Sequence, residues 1–242
     1  MKPIILKLSF LVLIISLFSF IPQKKIDEVL IFSKTKGFRH KSIEKGIDAI
    51  KKLGEQNNFK VTTTEDSSFF KYATLKKYKT IIFLSPTGKN LFNDKQKEAL
   101  KKYIQKGGGF VGIHAATDCS YEWEWYGKMV GGYFESHPKI QQANLIIKNN
   151  KHQSTSELKN IWVHTDEWYN YKNLNPNINI LINLDEKSYT GGKMGDAHPI
   201  AWYHEFEGGR VFYTGLGHTD ESYSNAEFLK HLKGGINYAL GR

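Results

Sequence analysis

The chain has 242 residues, of which 40% are hydrophobic, so it can bury a full core and is not a disordered protein. Its one cysteine excludes an internal disulfide. The formal net charge is +10, but lysines alternate with glutamates along the predicted helices and form no block of like charge. This pattern is typical of a solvated basic surface and argues against nucleic acid as a partner.

The N-terminal 22 residues have the pattern of a secretory signal. Lys2 and Lys7 precede an apolar run from Leu8 to Ile21, which a polar stretch follows. The run is about 14 residues long, shorter than the roughly 20 that span a bilayer. No small-residue cleavage pair is obvious, so residues 1–22 are predicted to be either a signal peptide or an uncleaved anchor. We expect an exported protein, periplasmic or extracellular, with one domain over residues 24–242 and no other membrane contact.

The first half of this domain alternates strands with helices. Continuous apolar runs, expected of parallel strands covered on both faces, predict strands at Glu28–Ser33, Phe59–Thr63, Thr80–Leu84 and Phe110–His114. Apolar residues at helical spacing predict a helix over Ser42–Gln56 and another that Asn93 caps and Gly107 ends. The repeated order of strand and helix predicts a doubly wound α/β sheet with right-handed crossovers.

The second half is predicted to be rich in strands. Five segments have strand character: Ala143–Lys148, Asn160–His164, Asn177–Leu184, Ile200–Phe206 and Val211–Thr214. A hairpin turn at residues 207–210 joins the last two, and Ser224–Leu240 forms a closing helix. The predicted architecture is therefore one α/β domain with a β-rich second half.

Polar side chains follow several predicted strands. They are Arg39 with His40, His114 with Asp118, His137, and His218 with Asp220. In an open α/β sheet, the carboxyl ends of the strands line a crevice in which ligands bind. An imidazole beside a carboxylate forms either an oriented base or a pair of metal ligands. Each pair is unspecific alone, but their convergence on strand ends indicates a site.

Aromatic residues between these groups suggest a carbohydrate ligand. A sugar has apolar C–H faces, which stack on aromatic rings, and a polar rim, which binds charged and amide groups. The predicted sugar-binding residues are Arg39, Asp118, Trp125, Trp168 and Trp202. The alternative is that these aromatic side chains fill the core of the β-rich half.

Several motifs together resemble the ThuA-like (trehalose-utilisation) family. They are Gly37–His40, Gly108–Asp118, Met129–Phe134 with His137-Pro138, Asp166–Tyr169, and His198–Trp202 with Gly215–His218. The resemblance implies a flavodoxin-like sheet of the class I glutamine amidotransferase type. In that fold an elbow after one strand carries a nucleophilic cysteine, and a later strand ends in His-x-Glu. Here His114 occupies the elbow and His218-Thr219-Asp220 the later position, so glutamine amidotransferase activity is not expected.

The family resemblance also implies sugar metabolism, including that of oxidised (keto) sugars, so we expect a small carbohydrate ligand. Two mechanisms fit an enzyme. His114 and His218, with His137 or Asp118, hold a divalent metal such as zinc. Alternatively His114 and His218 act as acid and base, with His40 and Asp220 beside them.

Two further functions stay open at this point. One is a carbohydrate-binding module without catalysis. The other is an amidotransferase-like hydrolase that uses Cys119, although this cysteine lies five residues past the elbow. We favour an enzyme.

Overall fold

The computed structural model describes residues 26–242, and the predicted signal or anchor over residues 1–22 lies outside them. The strands in this range are β1 (Asp27–Phe32), β2 (Phe59–Thr64), β3 (Thr80–Leu84), β4 (Gly109–Ile113), β5 (Tyr133–Ser136), β6 (Gln141–Ile147), β7 (Ile161–Asp166), β8 (Asn170–Lys172), β9 (Asn179–Leu184), β10 (His198–Phe206) and β11 (Gly209–Thr214). The α-helices are α1 (Ile43–Asn57), α2 (Tyr72–Leu75), α3 (Asp94–Gln105), α4 (Glu124–Val130) and α5 (Ala226–Leu240). None of the helices within residues 26–242 is both long enough and apolar enough to cross a bilayer.

One large sheet carries the fold, in the strand order β2-β1-β3-β4-β11-β10-β9-β6-β7. Strands β1 to β4 and β11 pair in parallel, and from β11 outward the pairs are antiparallel. Strands β1, β3 and β4 are buried, which explains their continuous apolar sequences. The predicted α/β sheet with a β-rich second half is confirmed.

Most elements predicted from the sequence are present. The Asn93 side chain caps α3 and forms a capping box with Gln96, and the hairpin turn joins β10 to β11. The sequence did not predict α4 or the two-stranded ribbon of β5 and β8. These elements have seven, four and three residues, too few for a periodic pattern to stand out.

The topology brings three chain segments to one crevice. The parallel pairing of β4 with β11 sets Ile113 beside Thr214, so the residues that follow both strands emerge together. The end of β7 also reaches this point, because the Asp166 carboxylate accepts hydrogen bonds from the backbone after β11. Since β7 lies at the far edge of the sheet, the antiparallel half must curve back over the parallel half.

Gly131, which ends α4, is packed too tightly to carry a side chain. Its φ is +104°, and a Cβ there would stand 2.2 Å from Nε1 of Trp202. We expect Gly131→Ala to lower the free energy of unfolding by about 2–3 kcal/mol, because the indole must move and the backbone is strained. Urea titration measures this loss.

Gly195→Ala is the matched control. Gly195 also has a positive φ, of +72°, but nothing lies within 4 Å of its added Cβ. Only the backbone cost of about 1 kcal/mol then remains. Equal losses in the two variants would show that contact with Trp202 does not limit position 131.

Candidate functional site

His114 occupies a strained elbow directly after β4. Its φ is +48°, in the left-handed region that non-glycine residues rarely adopt, and its side chain is fully buried. Nδ1 lies 2.8 Å from the carbonyl oxygen of Gly215, which can only accept a hydrogen bond. We therefore assign the proton to Nδ1, which leaves a lone pair on Nε2. The Tyr169 ring packs against this imidazole at 4.3 Å between centroids.

His218 lies on the loop after β11 and faces His114. Its Nδ1 is 3.1 Å from Nε2 of His114 and 3.1 Å from Oε2 of Glu167. Both neighbours present lone pairs, so Nδ1 of His218 carries the hydrogen between them. Burial lowers the pKa of His218, but the Glu167 carboxylate outweighs this effect and leaves the pKa raised.

Glu167 joins three histidines through its two oxygens. Oε2 lies 3.5 Å from Nε2 of His114, in addition to its contact with His218, and Oε1 lies 3.0 Å from Nδ1 of His137. Burial raises the pKa of Glu167, but the imidazoles of His114 and His218 beside it prevail and hold this pKa well below its usual range. Glu167 is therefore a carboxylate at neutral pH.

His40, which precedes α1, completes the group. It is buried, and its ring centroid lies 4.7 Å from that of His114 and 5.0 Å from that of His218. Burial, together with the closeness of these two imidazoles, lowers the pKa of His40 to about 2, so the ring is neutral. One ligand atom from each of His40, His114, Glu167 and His218 lies within 4.8 Å of the others. We call these four residues the histidine–glutamate cluster.

Asp166 holds the His218 loop in place from beneath. Its carboxylate accepts hydrogen bonds from the backbone N–H groups of Gly217 (2.8 Å) and His218 (3.1 Å) and from the Ser222 hydroxyl (2.9 Å). Burial raises the pKa of Asp166, but the nearby imidazoles of His164 and His114 and the Gly217 N–H together lower it. Asp166 thus remains charged and positions His218.

The structure brings three predicted site residues, His40, His114 and His218, into the cluster. His137 lies outside the four ligand atoms and reaches them only through Glu167. Asp118 is half-buried and accepts a hydrogen bond of 2.5 Å from the Tyr121 hydroxyl, and burial raises its pKa. Asp118 is therefore not one of the four ligand atoms, and Tyr121 fixes the position of its carboxyl group.

The predicted pairing of His218 with Asp220 is corrected. Asp220 is exposed and begins a short 3-10 turn, whereas the carboxylate in contact with His218 is that of Glu167. Glu167 directly follows β7 and is far from His218 in the sequence. Glu167 was missed as a site residue, although it follows a predicted strand and lies in the Asp166–Tyr169 motif, the signal that could have found it.

Two of the three predicted sugar-stacking tryptophans are corrected, and the role of Trp125 stays a prediction. Trp168 and Trp202 are fully buried, and their indole N–H groups donate to the carbonyl oxygens of Gln141 and Val130. Both side chains therefore fill the core, which was the alternative to sugar stacking. Trp125 stacks on Trp123, with 5.2 Å between ring centroids, and its indole donates to Glu207.

Arg39 and Cys119 lie outside the four ligand atoms of the cluster. Arg39 is exposed, and its guanidinium forms ion pairs of 2.8 Å with Glu44 and Glu65. Its role in sugar binding stays a prediction. Cys119 is fully buried, and burial raises the pKa of its thiol to about 12. A thiol nucleophile needs the opposite shift, which removes the support for a cysteine hydrolase.

Comparison with known proteins finds relatives that match almost all of the described residues. The family model described as ThuA, trehalose utilisation, matches residues 28–239. A ThuA-like protein from Bacteroides uniformis superimposes with a TM-score of 0.75 and is 25% identical, covering 88% of this chain and 91% of the other. One from Parabacteroides merdae has a TM-score of 0.70 and 21% identity, covering 90% of this chain and 91% of the other.

The same fold occurs inside larger sugar enzymes. A β-galactosidase from Bacillus circulans sp. alkalophilus matches 89% of this chain with 31% of its own, at a TM-score of 0.59 and 14% identity. That identity shows a shared fold alone. A search of curated proteins found no match. Because the family model spans nearly every described residue, the chain belongs to the ThuA trehalose-utilisation family of carbohydrate metabolism, within the class I glutamine amidotransferase-like superfamily.

Proposed function

We propose that this protein is an enzyme that transforms a sugar or an oxidised (keto) sugar at the histidine–glutamate cluster. The observation that carries the proposal is the convergence of His40, His114, Glu167 and His218, whose ligand atoms lie within 4.8 Å of one another. A core needs no such group, because burying a carboxylate among imidazoles costs solvation free energy. Perturbed titratable groups of this kind concentrate at functional sites.

The exposure of the side chains rises from His114 through Glu167 and His218 to His137. His114 is fully buried, while the side chains of Glu167, His218 and His137 are exposed by 9%, 18% and 43%. A sugar would therefore approach over His137 and His218 and meet Glu167 and His114 behind them. Ring oxygens and hydroxyl groups are suitable partners for these polar side chains.

Two chemistries are compatible with this arrangement. In the first, His218 donates a proton to a sugar oxygen and the lone pair on Nε2 of His114 accepts one, since the network places the hydrogens that way. In the second, the same atoms hold a divalent metal that polarises the oxygen. Both require the carboxylate of Glu167.

A carbohydrate-binding module without catalysis has less support. Such a module needs several accessible aromatic faces, but Trp168 and Trp202 offer none, and Phe38 beside His40 adds one exposed ring. The cluster itself has the groups of a catalytic site rather than those of a stacking platform.

Glu167→Gln tests the proposal. The substitution keeps the shape of the side chain but removes the charge that faces His114 and His218, so turnover is expected to fall by at least ~100-fold. Activity is measured on trehalose, related glucosides and their keto derivatives, with product detected by chromatography. Glu157→Gln, the same substitution at an exposed glutamate that pairs with Lys233 outside the cluster, is the control and keeps wild-type turnover.

Two results would contradict the proposal. One is a Glu167→Gln variant as active as the wild type. The other is a folded wild-type protein that binds a sugar in calorimetry but forms no product on long incubation, which would establish the binding module instead.

Export is proposed on separate grounds. It rests on Lys2, Lys7 and the apolar run before residue 22, a pattern that directs secretion. Cell fractionation followed by N-terminal sequencing would locate the protein and show whether the segment is removed. We propose a small carbohydrate as its partner and no nucleic acid.

A further inference from the structure

The histidine–glutamate cluster has the spacing of a metal centre. Three ligand-atom separations are 3.1 Å between His114 Nε2 and His218 Nδ1, 3.1 Å between His218 Nδ1 and Glu167 Oε2, and 3.5 Å between His114 Nε2 and Glu167 Oε2. With zinc bonds of about 2.0–2.1 Å, neighbouring ligands of a tetrahedral site lie ~3.3 Å apart. We propose that His40, His114, Glu167 and His218 bind one divalent transition metal ion, with zinc the best fit.

The cluster presents more lone pairs than hydrogens. Glu167 brings the oxygen Oε2, His114 offers the lone pair of Nε2, and His40 is buried beside them. Among the four ligand atoms, these contacts assign a hydrogen to Nδ1 of His218, and this one hydrogen faces lone pairs on both His114 and Glu167. Lone pairs that face one another repel unless a proton or a cation lies between them. A metal ion satisfies all four ligands at once.

His40 provides an independent observation. It is 3% exposed, and within residues 26–242 its Nδ1 has no hydrogen-bond partner. Buried polar atoms in folded proteins nearly always have a partner, so an orphaned imidazole nitrogen requires an explanation. Binding of an ion by this ring would stabilise it in the cluster.

The surrounding contacts orient the ligands as those of metal sites do. The Gly215 carbonyl fixes the tautomer of His114, and His137 donates to Oε1 of Glu167, which leaves Oε2 for the ion. Asp166 holds the backbone of His218. Outer partners of this kind set the direction and basicity of metal ligands.

This inference deepens the proposed function, because it concerns the same site. Zinc can accept a fifth ligand, so an oxygen of the sugar would bind the ion and become polarised. His137 would then be the histidine left to exchange protons. Its Nδ1 is engaged by Glu167 and by the Pro138 carbonyl at 2.8 Å, which leaves its Nε2 free to accept.

Metal binding is measured on the full chain without any substrate, so its outcome is independent of the proposed activity. The protein is stripped with a chelator, titrated with zinc chloride by calorimetry and assayed by elemental analysis. We expect about one ion per chain. In Glu167→Gln and His218→Ala, the affinity should fall by more than the ~100-fold that loss of an outer partner costs. The absorption spectrum of bound Co²⁺ reports the coordination geometry in each variant.

Two control variants make the result specific. His152→Gln removes an imidazole that stacks on Tyr203 outside the cluster, and it should bind zinc as the wild type does. His137→Ala should weaken binding by no more than ~100-fold, as an outer partner. The proposal is overturned if the folded wild type binds no metal, or if neither Glu167→Gln nor His218→Ala weakens binding. The metal-free acid–base chemistry would then stand alone.

Discussion

Replacing Asp166 by asparagine is expected to lower the free energy of unfolding by about 2–4 kcal/mol and to reduce turnover as well. The Asp166 carboxylate is fully buried and accepts three hydrogen bonds from the segment after β11, donated by Gly217, His218 and Ser222. A fourth comes from the neighbouring Glu167 N–H. An asparagine has one acceptor oxygen instead of two, and its NH₂ group would face donors. The loop that carries His218 should therefore shift.

Urea unfolding measures the loss of stability, and the pH profile of turnover shows whether His218 has moved. Ser222→Ala is the matched control, because it removes one of the three hydrogen bonds and leaves the carboxylate intact. It should cost only about 1 kcal/mol and leave the pH profile unchanged. An Asp166→Asn variant with wild-type stability and profile would show that Asp166 does not position the loop.

Acidification is expected to destabilise the protein between about pH 6.5 and pH 4 through buried histidines. Burial lowers the pKa of His231 to about 4 and that of His204 to about 4. The unfolded chain protonates these rings as the pH falls through about 6.5, but the folded chain resists until about 4. Stability is therefore complete above this window and falls by roughly 1.4 kcal/mol per pH unit for each ring within it.

His231→Phe tests this expectation, because phenylalanine keeps an aromatic ring against Phe212 but cannot titrate. The variant loses the hydrogen bond between Nδ1 and the Ser154 carbonyl, so it should be about 1 kcal/mol less stable at neutral pH. The slope of its unfolding free energy against pH should be smaller than that of the wild type by the contribution of one proton, roughly 1.4 kcal/mol per pH unit. Phe212→Leu, a packing change without a titratable group, should keep the wild-type slope. Parallel slopes for wild type and His231→Phe would rule out a contribution from His231.

Local patterns were sufficient to predict most of the fold. The continuous apolar runs of β1, β3 and β4 reflect strands buried on both faces, a condition that the residues record directly. The ribbon of β5 and β8 was missed because its strands have four and three residues and gain their stability from contacts distant in sequence. Short elements of this kind have no periodic signature of their own.

The site likewise contains residues that the local sequence predicts and residues that it does not. His114 could be predicted because the elbow after β4 is a local feature, with a strand running into a turn. The position of Glu167 could not, because it depends on the antiparallel half curving back until the end of β7 meets the loop after β11. Sequence proximity suggested Asp220 as the partner of His218, but the side chain of Asp220 is exposed.

The sequence by itself determined the α/β class, the family motifs and the histidines at the strand ends, because each of these follows from residues close together in the chain. Only the tertiary structure decided which carboxylate faces those histidines and which tryptophans are buried. Both outcomes depend on distant segments: Glu167 joins His114 and His218 across the crevice, and Trp202 packs against Gly131. Pairings across such sequence distances result from packing the whole domain and leave no local pattern to detect.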